Sequence, residues 1–268
     1  MKASGEKIQE ALETVQHLMK EAVRIEQLRD QLTGLPNDLA LSERLAEAVE
    51  RYVQQSRRFW VGFVEIDRFK RLNDAFGYQN ADKLLQKVAT HMEIAARDYF
   101  AGRLVVAFRA HGDEFFFLGD IEEDEPETIF ADIHGSLEHF RESIKRVEIR
   151  VSGMRETMRC TVSIGWAVGD DAPDTPTARR IRILLEEAVN YAKRKGRDQV
   201  VRYSAEVEKS VVHSIRDHCP SCESHFSADI PEEKVLKDPL WCPNCGHRVD
   251  RPPSPPSPGV RQIQQISV

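Results

Sequence analysis

Four acidic residues stand where two apolar segments end. The run FWVGFVEI, residues 59–66, closes on Glu65-Ile66-Asp67, and RLVVAFRAHGDEFFFLG, residues 103–119, turns at Ala110-His111-Gly112-Asp113 and resumes with Glu114. Carboxylates gathered at strand ends offer hard oxygen ligands to a divalent cation, and such a cation neutralises phosphate charge during phosphoryl transfer. Composition alone favours a plainer alternative, in which acidic residues at strand ends and turns are simply solvated. A second chemistry lies later in the chain. Cys219-Pro220-Ser221-Cys222 and Cys242-Pro243-Asn244-Cys245-Gly246 place four thiols in two C-x-x-C pairs, the donor set of a tetrahedral Zn²⁺ site. A redox dithiol is the weaker reading, because two matched pairs are better explained together.

These residues need elements to hold them. Residues 1–32 have no proline and no glycine after Gly5, with apolar positions at Ile8, Leu12, Val15, Leu18, Met19, Ala22, Ile25, Leu28 and Leu32; the spacing predicts a helix. It can form a short coiled coil or pack on the domain that follows, and Glu26 and Arg29 interrupt a strict seam. Beyond the turn TGLPN, helical spacing returns at residues 39–55, 82–100, 126–147 and 181–196. Strand patterns fall at 59–66, on both sides of the 110–113 turn, at 161–169 and at 198–204. FWVGFVEI is apolar on both faces, as a central strand is. This order predicts an α+β domain, a mixed or mostly antiparallel sheet covered by helices. Cys160 reads as a small buried hydrophobe in a strand. The end of the chain, residues 251–268, is rich in Pro and Ser and reads as a disordered tail.

The chain has 268 residues, room for a domain of catalytic size and a satellite. No apolar run approaches the ~20 residues that cross a membrane, and the N-terminus lacks a secretory apolar stretch, so a cytoplasmic location is expected. With 38 Lys and Arg against 44 Asp and Glu, the net charge of −6 argues against a protein that lives on nucleic-acid backbone. Five cysteines, four of them in the two pairs, suit metal in a reducing compartment better than a disulfide framework.

Five segments in order resemble the GGDEF family of diguanylate cyclases across residues 28–204. They are DQLTGLPN at 30–37, VEIDRFKRLNDAFGYQNADKLL at 64–85, AHGDEFFFL at 110–118, TVSIGWAVG, and AVNYAKRKGRDQV at 188–200. The resemblance implies a palm-like nucleotidyl cyclase fold in which two GTP-loaded domains face each other and condense two GTP into cyclic di-GMP. It implies Glu65 and Asp113 as side-chain ligands of Mg²⁺ or Mn²⁺, the Ile66 carbonyl as a third ligand, and Glu114 as support for that site. It implies Asn73 and Asp82 as guanine readers, Phe69 and Lys70 as the turn whose backbone N–H groups cradle phosphate, and Lys193 and Arg197 as the cations that clamp it. A buried Asp82 carboxylate left unpaired by adenine would cost on the order of 1–3 kcal/mol or more, which favours GTP.

Three positions depart from the family pattern. Glu65 stands where Asp is usual, and a ligand misplaced by about an ångström can cost ~10²-fold in rate. His111 stands at the first signature Gly, next to Gly112, where it either obstructs substrate or adds a donor; Tyr78 replaces a residue more often His. The product-inhibition motif R-x-x-D is absent, since the matching residues are Gly102-Arg103-Leu104-Val105, so feedback through that site is not expected. The resulting expectation is a dimerising helix at 1–32, a cyclase domain at 28–204, a zinc ribbon at 214–250 and a tail at 251–268. Expected partners are GTP, a second copy of the chain, and a protein bound through the ribbon. The alternative left open is a degenerate domain that binds GTP, or docks a protein, without turnover.

Overall fold

The computed structural model describes residues 2–100, 103–121, 126–151, 153, 156–172, 176–209, 212–218, 225–231, 240–241 and 248–249, with backbone alone at 2–12, at 126–127 and beyond residue 208. The chain divides into two units, Met1–Glu208 and Lys209–Val268. In the first unit the helices are α1 (Lys2–Gln27), α2 (Asp38–Gln55), α3 (Phe69–Phe76), α4 (Tyr78–Asp98), α5 (Pro126–Ile144), α6 (Ala178–Arg194) and α7 (Ala205–Lys209), the last ending at the boundary. The strands are β1 (Arg58–Ile66), β2 (Val105–His111), β3 (Glu114–Ile121), β4 (Ile149–Arg150), β5 (Thr157–Met158), β6 (Val162–Val168) and β7 (Val200–Arg202).

Five strands form a mixed sheet in the order β2-β3-β1-β6-β7. β1 lies antiparallel to both β3 and β6, and β6 runs parallel to β7. Its central place explains its composition. Trp60, Val64 and Ile66 enter the core shared with α4 and α5, whereas Phe59, Val61 and Phe63 enter the opposite core with α2 and α6. Each such side chain contributes about 1.5–3 kcal/mol when fully buried. The same alternation fixes the chemistry. Glu65 continues the series 59, 61, 63, and Glu114, its directly opposed partner on β3, shares that face. Both carboxylates therefore stand on the α6 side of the sheet.

α6 is held unusually close to that face. A Cβ built on Gly165 of β6 would lie 2.5 Å from the Val189 backbone nitrogen and 2.8 Å from the Leu185 carbonyl, so no side chain fits there without displacing the helix. Ile181, Leu184, Leu185, Ala188, Val189 and Ala192 form the buried stripe of α6, and Thr177 caps its start by accepting from the Arg180 N–H. Its C-terminal turn brings Lys193 to the end of β1.

Several expectations are corrected. The N-terminal helix stops at Gln27, and Leu28 and Leu32 belong to a loop pinned by the Arg29–Pro36 bridge, both packing on core clusters. α2 is capped by Asn37, which accepts from the Ala40 N–H. α3 was not foreseen. It has eight residues, none fully buried, and starts from Arg68 in the left-handed region without a side-chain cap. α4 begins at Tyr78 rather than Asp82. The β2–β3 turn is shorter than expected, only Gly112 and Asp113 separating the strands, with a bulge between Arg109 and His111. Cys160 is buried as expected but lies just ahead of β6.

The second unit contains β8 (Val212–His218) paired antiparallel with β9 (His225–Pro231), and β10 (Leu240–Trp241) paired with β11 (Arg248–Val249). Cys219, Cys222, Cys242 and Cys245, and the tail from 251, lie outside the described residues. Among the described residues, no helix is long and apolar enough to cross a membrane.

Candidate functional site

The β1 end and the β2–β3 turn meet through the backbone, the Ile66 N–H donating to the Asp113 carbonyl at 3.3 Å. Glu65, Ile66 and Asp113 thus line one cleft of about 450 Å³, together with Asn73, Lys193 and Arg197. Phe69 and Lys70, in the first turn of α3, line it as well. Tyr78 opens α4 and is 76% exposed; Asp82, a turn later, is exposed too. Neither lines the cleft.

The electrostatics are those of crowded acids. Burial pushes the Asp113 carboxyl above its ordinary range, and the negative charge of Glu65 pushes it further, against partial relief from its own backbone N–H, Lys193 and His111. Glu114 is likewise raised, first by burial, with His111 opposing and Glu65 and Asp113 adding to the rise. Lys193 donates through Nζ to Glu65 Oε2, an ion pair between two largely buried side chains. With Glu65 turned to Lys193, the described residues contain no group of three or more His, Cys, Asp or Glu side chains close enough to hold a cation. The donor set still fits one. Glu65, Asp113 and the Ile66 carbonyl are hard oxygens, and the mutual repulsion that raises Asp113 is what a divalent cation would relieve.

His111 is turned elsewhere. Its Nε2 lies 3.4 Å from Glu114 Oε2, its side chain is 71% exposed, and it lines an adjoining hollow of about 380 Å³ with Glu186 and Asn190 of α6. It does not line the cleft that contains Asn73. Gly112 takes φ +53°, a conformation that suits glycine. Asn73 Oδ1 is buried and accepts no hydrogen bond, an acceptor awaiting a donor.

Asp67, one of the four acidic residues singled out in the sequence but here engaged as an anchor, and two residues the sequence reading passed over hold this arrangement. Asp67, 7% exposed, accepts from the hydroxyls of Thr161 and Ser163, each at 2.7 Å, and from the Asp198 N–H at 3.1 Å. It thereby joins β1, β6 and the loop after α6. Arg109, 8% exposed, donates to Asp30 Oδ1 at 2.7 Å and through Nε and Nη2 to the Gly112 carbonyl at 3.1 and 2.7 Å. Burial alone would raise the Asp30 carboxyl, but hydrogen bonds from Thr33 and Arg109 outweigh it and hold the group below its usual range. The third residue, Ser163, is fully buried directly opposite Glu65.

A five-stranded sheet clothed by helices on both faces, with carboxylates at a central strand end and at the adjoining hairpin turn, defines an α+β, palm-like cyclase domain. The chain belongs to the GGDEF family: residues 27–199 match the family described as diguanylate cyclase, GGDEF domain. It is 32% identical over 197 residues to the bifunctional diguanylate cyclase/cyclic di-GMP phosphodiesterase MucR of Pseudomonas aeruginosa, a match covering 70% of this chain and 26% of that protein. It is 30% identical over 176 residues to the response regulator PleD of Caulobacter vibrioides, covering 66% and 36%. The matches thus span between a quarter and two-fifths of these relatives' length. Among solved structures, the diguanylate cyclase SiaD in complex with its activator SiaC, from Pseudomonas aeruginosa, is similar at 29% identity and TM-score 0.58, over 74% of this chain and 71% of that one. The coiled coil and GGDEF domain of DgcB from Caulobacter crescentus, solved with c-di-GMP, shares the fold at 22% identity and TM-score 0.61, over 73% and 97%.

Proposed function

We propose that the chain condenses two GTP into cyclic di-GMP, releasing pyrophosphate, by attack of a ribose 3'-hydroxyl on the α-phosphate of the opposing nucleotide. The observation that carries this reading is the unpaired Asn73 Oδ1 in the cleft shared by Glu65, Asp113, Lys193 and Arg197. Guanine supplies an N2–H donor for that oxygen and adenine does not, and Asp82 would take N1–H and N2–H of the same edge. Lys193 and Arg197 would bind the terminal phosphates, with the backbone N–H groups of Phe69 and Lys70 opposite them. A Mg²⁺ or Mn²⁺ ion held by Glu65, Asp113 and the Ile66 carbonyl would acidify the 3'-hydroxyl and neutralise charge at the reacting phosphorus. Glu114 would support the metal site with further negative charge beside it.

Two chains are required, one for each GTP. Val15, Leu18, Met19, Val23 and Ile25 of α1 are all more than half exposed, and their spacing suits a seam between two copies of the helix. Incubation with GTP and Mg²⁺ should therefore yield cyclic di-GMP from dimeric fractions. Because Glu65 reaches Lys193 and His111 faces Glu114, each variant side chain has a partner of its own in the site, and Glu65→Asp with His111→Gly should leave turnover unchanged or lower. Nucleotide binding without product in any fraction would favour the degenerate, GTP-binding reading instead. A large gain in the double variant would mean that the native site is impaired.

We also propose that Cys219, Cys222, Cys242 and Cys245 bind one structural Zn²⁺, supporting a module that contacts protein. Its support is the matched C-x-x-C pairs and the two hairpins whose strands flank them, β8 with β9 and β10 with β11. So short a module has little core without metal. The purified chain should carry one zinc by elemental analysis. Chelation should open it to proteolysis beyond residue 208 while residues 27–199 stay resistant; a metal-free chain that is equally resistant throughout would overturn the assignment.

A further inference from the structure

Behind the α3 turn lies a cavity of about 660 Å³ that shares Asp67, Arg68 and Arg197 with the cleft and is otherwise lined by residues the proposed reaction does not use. Its walls come from the first turn of α3, the end of α5, the segment before β6 and the loop after α6. Arg68, Arg71, Lys145, Arg159 and Arg197 line it, against two carboxylates, Asp67 and Asp198. Both carboxylates are already engaged. Asp67 takes the hydrogen bonds from Thr161, Ser163 and the Asp198 N–H, and Asp198 is paired with Arg141 and with Lys145, the latter at 2.9 Å. Arg159 is paired with Glu148 at the rim. The guanidinium groups of Arg68 and Arg71 have no hydrogen-bonding or ionic partner among the described residues, and that of Arg197 has only a long bond to the Lys193 carbonyl.

A chain with net charge −6 thus concentrates unneutralised guanidinium groups around one open hollow. The loop that carries Arg197 is strained into place, with φ of +128° at Gly196, +70° at Arg197 and +50° at Asp198. Two successive non-glycine residues in the left-handed region are strained, and such strain persists where surrounding contacts over-determine it. Here Asp67 and Arg141 do so, and Arg197 is left between the cavity and the proposed phosphate end of the cleft. The planar forks of Arg68, Arg71 and Arg197 suit the non-bridging oxygens of a condensed phosphate, and the volume exceeds what a lone orthophosphate needs.

We propose that this cavity is a second anion site that takes a pyrophosphate group, either free pyrophosphate or the polyphosphate end of a nucleotide, beside the cleft and bordering it at Arg68 and Arg197. The inference goes beyond the cyclase reading, and Arg71, Lys145 and Arg159, the cations that line the cavity and not the cleft, carry it if that reading fails. Arg71 and Arg159 line the cavity and not the cleft, which makes them the test.

The whole chain is saturated with a non-hydrolysable GTP analogue and titrated calorimetrically with sodium pyrophosphate. One further pyrophosphate per chain should bind. Arg71→Glu with Arg159→Glu should weaken it by roughly tenfold or more, as loss of charge-assisted hydrogen bonds does, and should leave affinity for the analogue unchanged. Arg71→Ala, a milder change at an exposed position, should weaken pyrophosphate in the same direction. Failure of the saturated chain to bind pyrophosphate, or binding undiminished in both variants, overturns the proposal. If the analogue itself does not bind, the cyclase reading fails, and the same variants still read the cavity in a titration of the free chain. ATP binding there more tightly than pyrophosphate would assign the site to a nucleotide tail; equal or weaker binding would assign it to the free anion.

Discussion

Replacing Asp113 by Asn should abolish cyclic di-GMP formation, a loss of about a thousandfold or more, while making the protein more stable at neutral pH. The loss follows from removing one of two anionic side chains proposed to hold the divalent ion. The gain follows from the cause of the Asp113 shift, which is burial first and the charge of Glu65 second. A carboxyl raised by folding binds its proton more tightly in the native state than in the unfolded one. Its ionised form therefore costs stability, beginning as pH climbs through the unfolded value of about 3.9 and complete above the raised folded value. At neutral pH, above the unfolded value, that cost is present, and an isosteric neutral amide removes it. We expect a melting temperature about 2 °C higher for Asp113→Asn at pH 7 by calorimetry. The difference should shrink toward pH 4, where the wild-type carboxyl keeps its proton. Added Mg²⁺ should raise the wild-type transition and leave that of the variant unmoved. A lower melting temperature for the variant at pH 7 would contradict this account.

Arg109→Ala should act in the opposite sense and more strongly. Its guanidinium is buried between the Asp30 carboxylate and the Gly112 carbonyl, so truncation leaves two acceptors short of donors. Breaking such a pair costs about 3 kcal/mol, which for a domain of this size lowers the melting temperature by about 6–10 °C. The pH dependence follows from Asp30, whose carboxyl is lowered in the folded state. Its contribution is present above the unfolded value and is lost as pH falls through the depressed folded one, so the gap between wild type and variant should narrow in acid. Arg109→Lys should recover only part of the loss, because a single ammonium cannot reach both acceptors as the fork does. The apparent KM for GTP should rise in both variants, since Arg109 also fixes the turn that carries Asp113. A variant with unchanged melting temperature would show that the pair carries no net stability.

The two variants differ in how far the sequence alone leads to them. Asp113 is legible because it sits in a turn between two apolar runs, and those runs are legible because the central strands are covered on both faces. Arg109 is not, because its partner Asp30 is 79 residues away in the chain and only the folded sheet brings them together. Asn37 could have been read as a cap, standing directly before the periodic stripe of α2. α3 gives no such signal, since FKRLNDAF has no fully buried position to impose a period. The overrun of the first helix has the converse origin. Leu28 and Leu32 keep apolar spacing because they pack on the cores, and a side chain that seeks the core from a loop cannot be told by spacing from one on a helix.

Asp67 has a consequence for how this site can vary. It accepts from two hydroxyls on and just before β6 and from an N–H in the loop after α6, and its own N–H donates to the Thr161 carbonyl at 2.9 Å. Three stretches of backbone are locked to one another immediately beside position 65. A frame fixed in this way cannot yield when a neighbouring side chain grows by a methylene, so the whole difference between Asp and Glu at that position must be taken up in the torsion angles of the side chain itself. Glu65 does this by leaning along the sheet to Lys193.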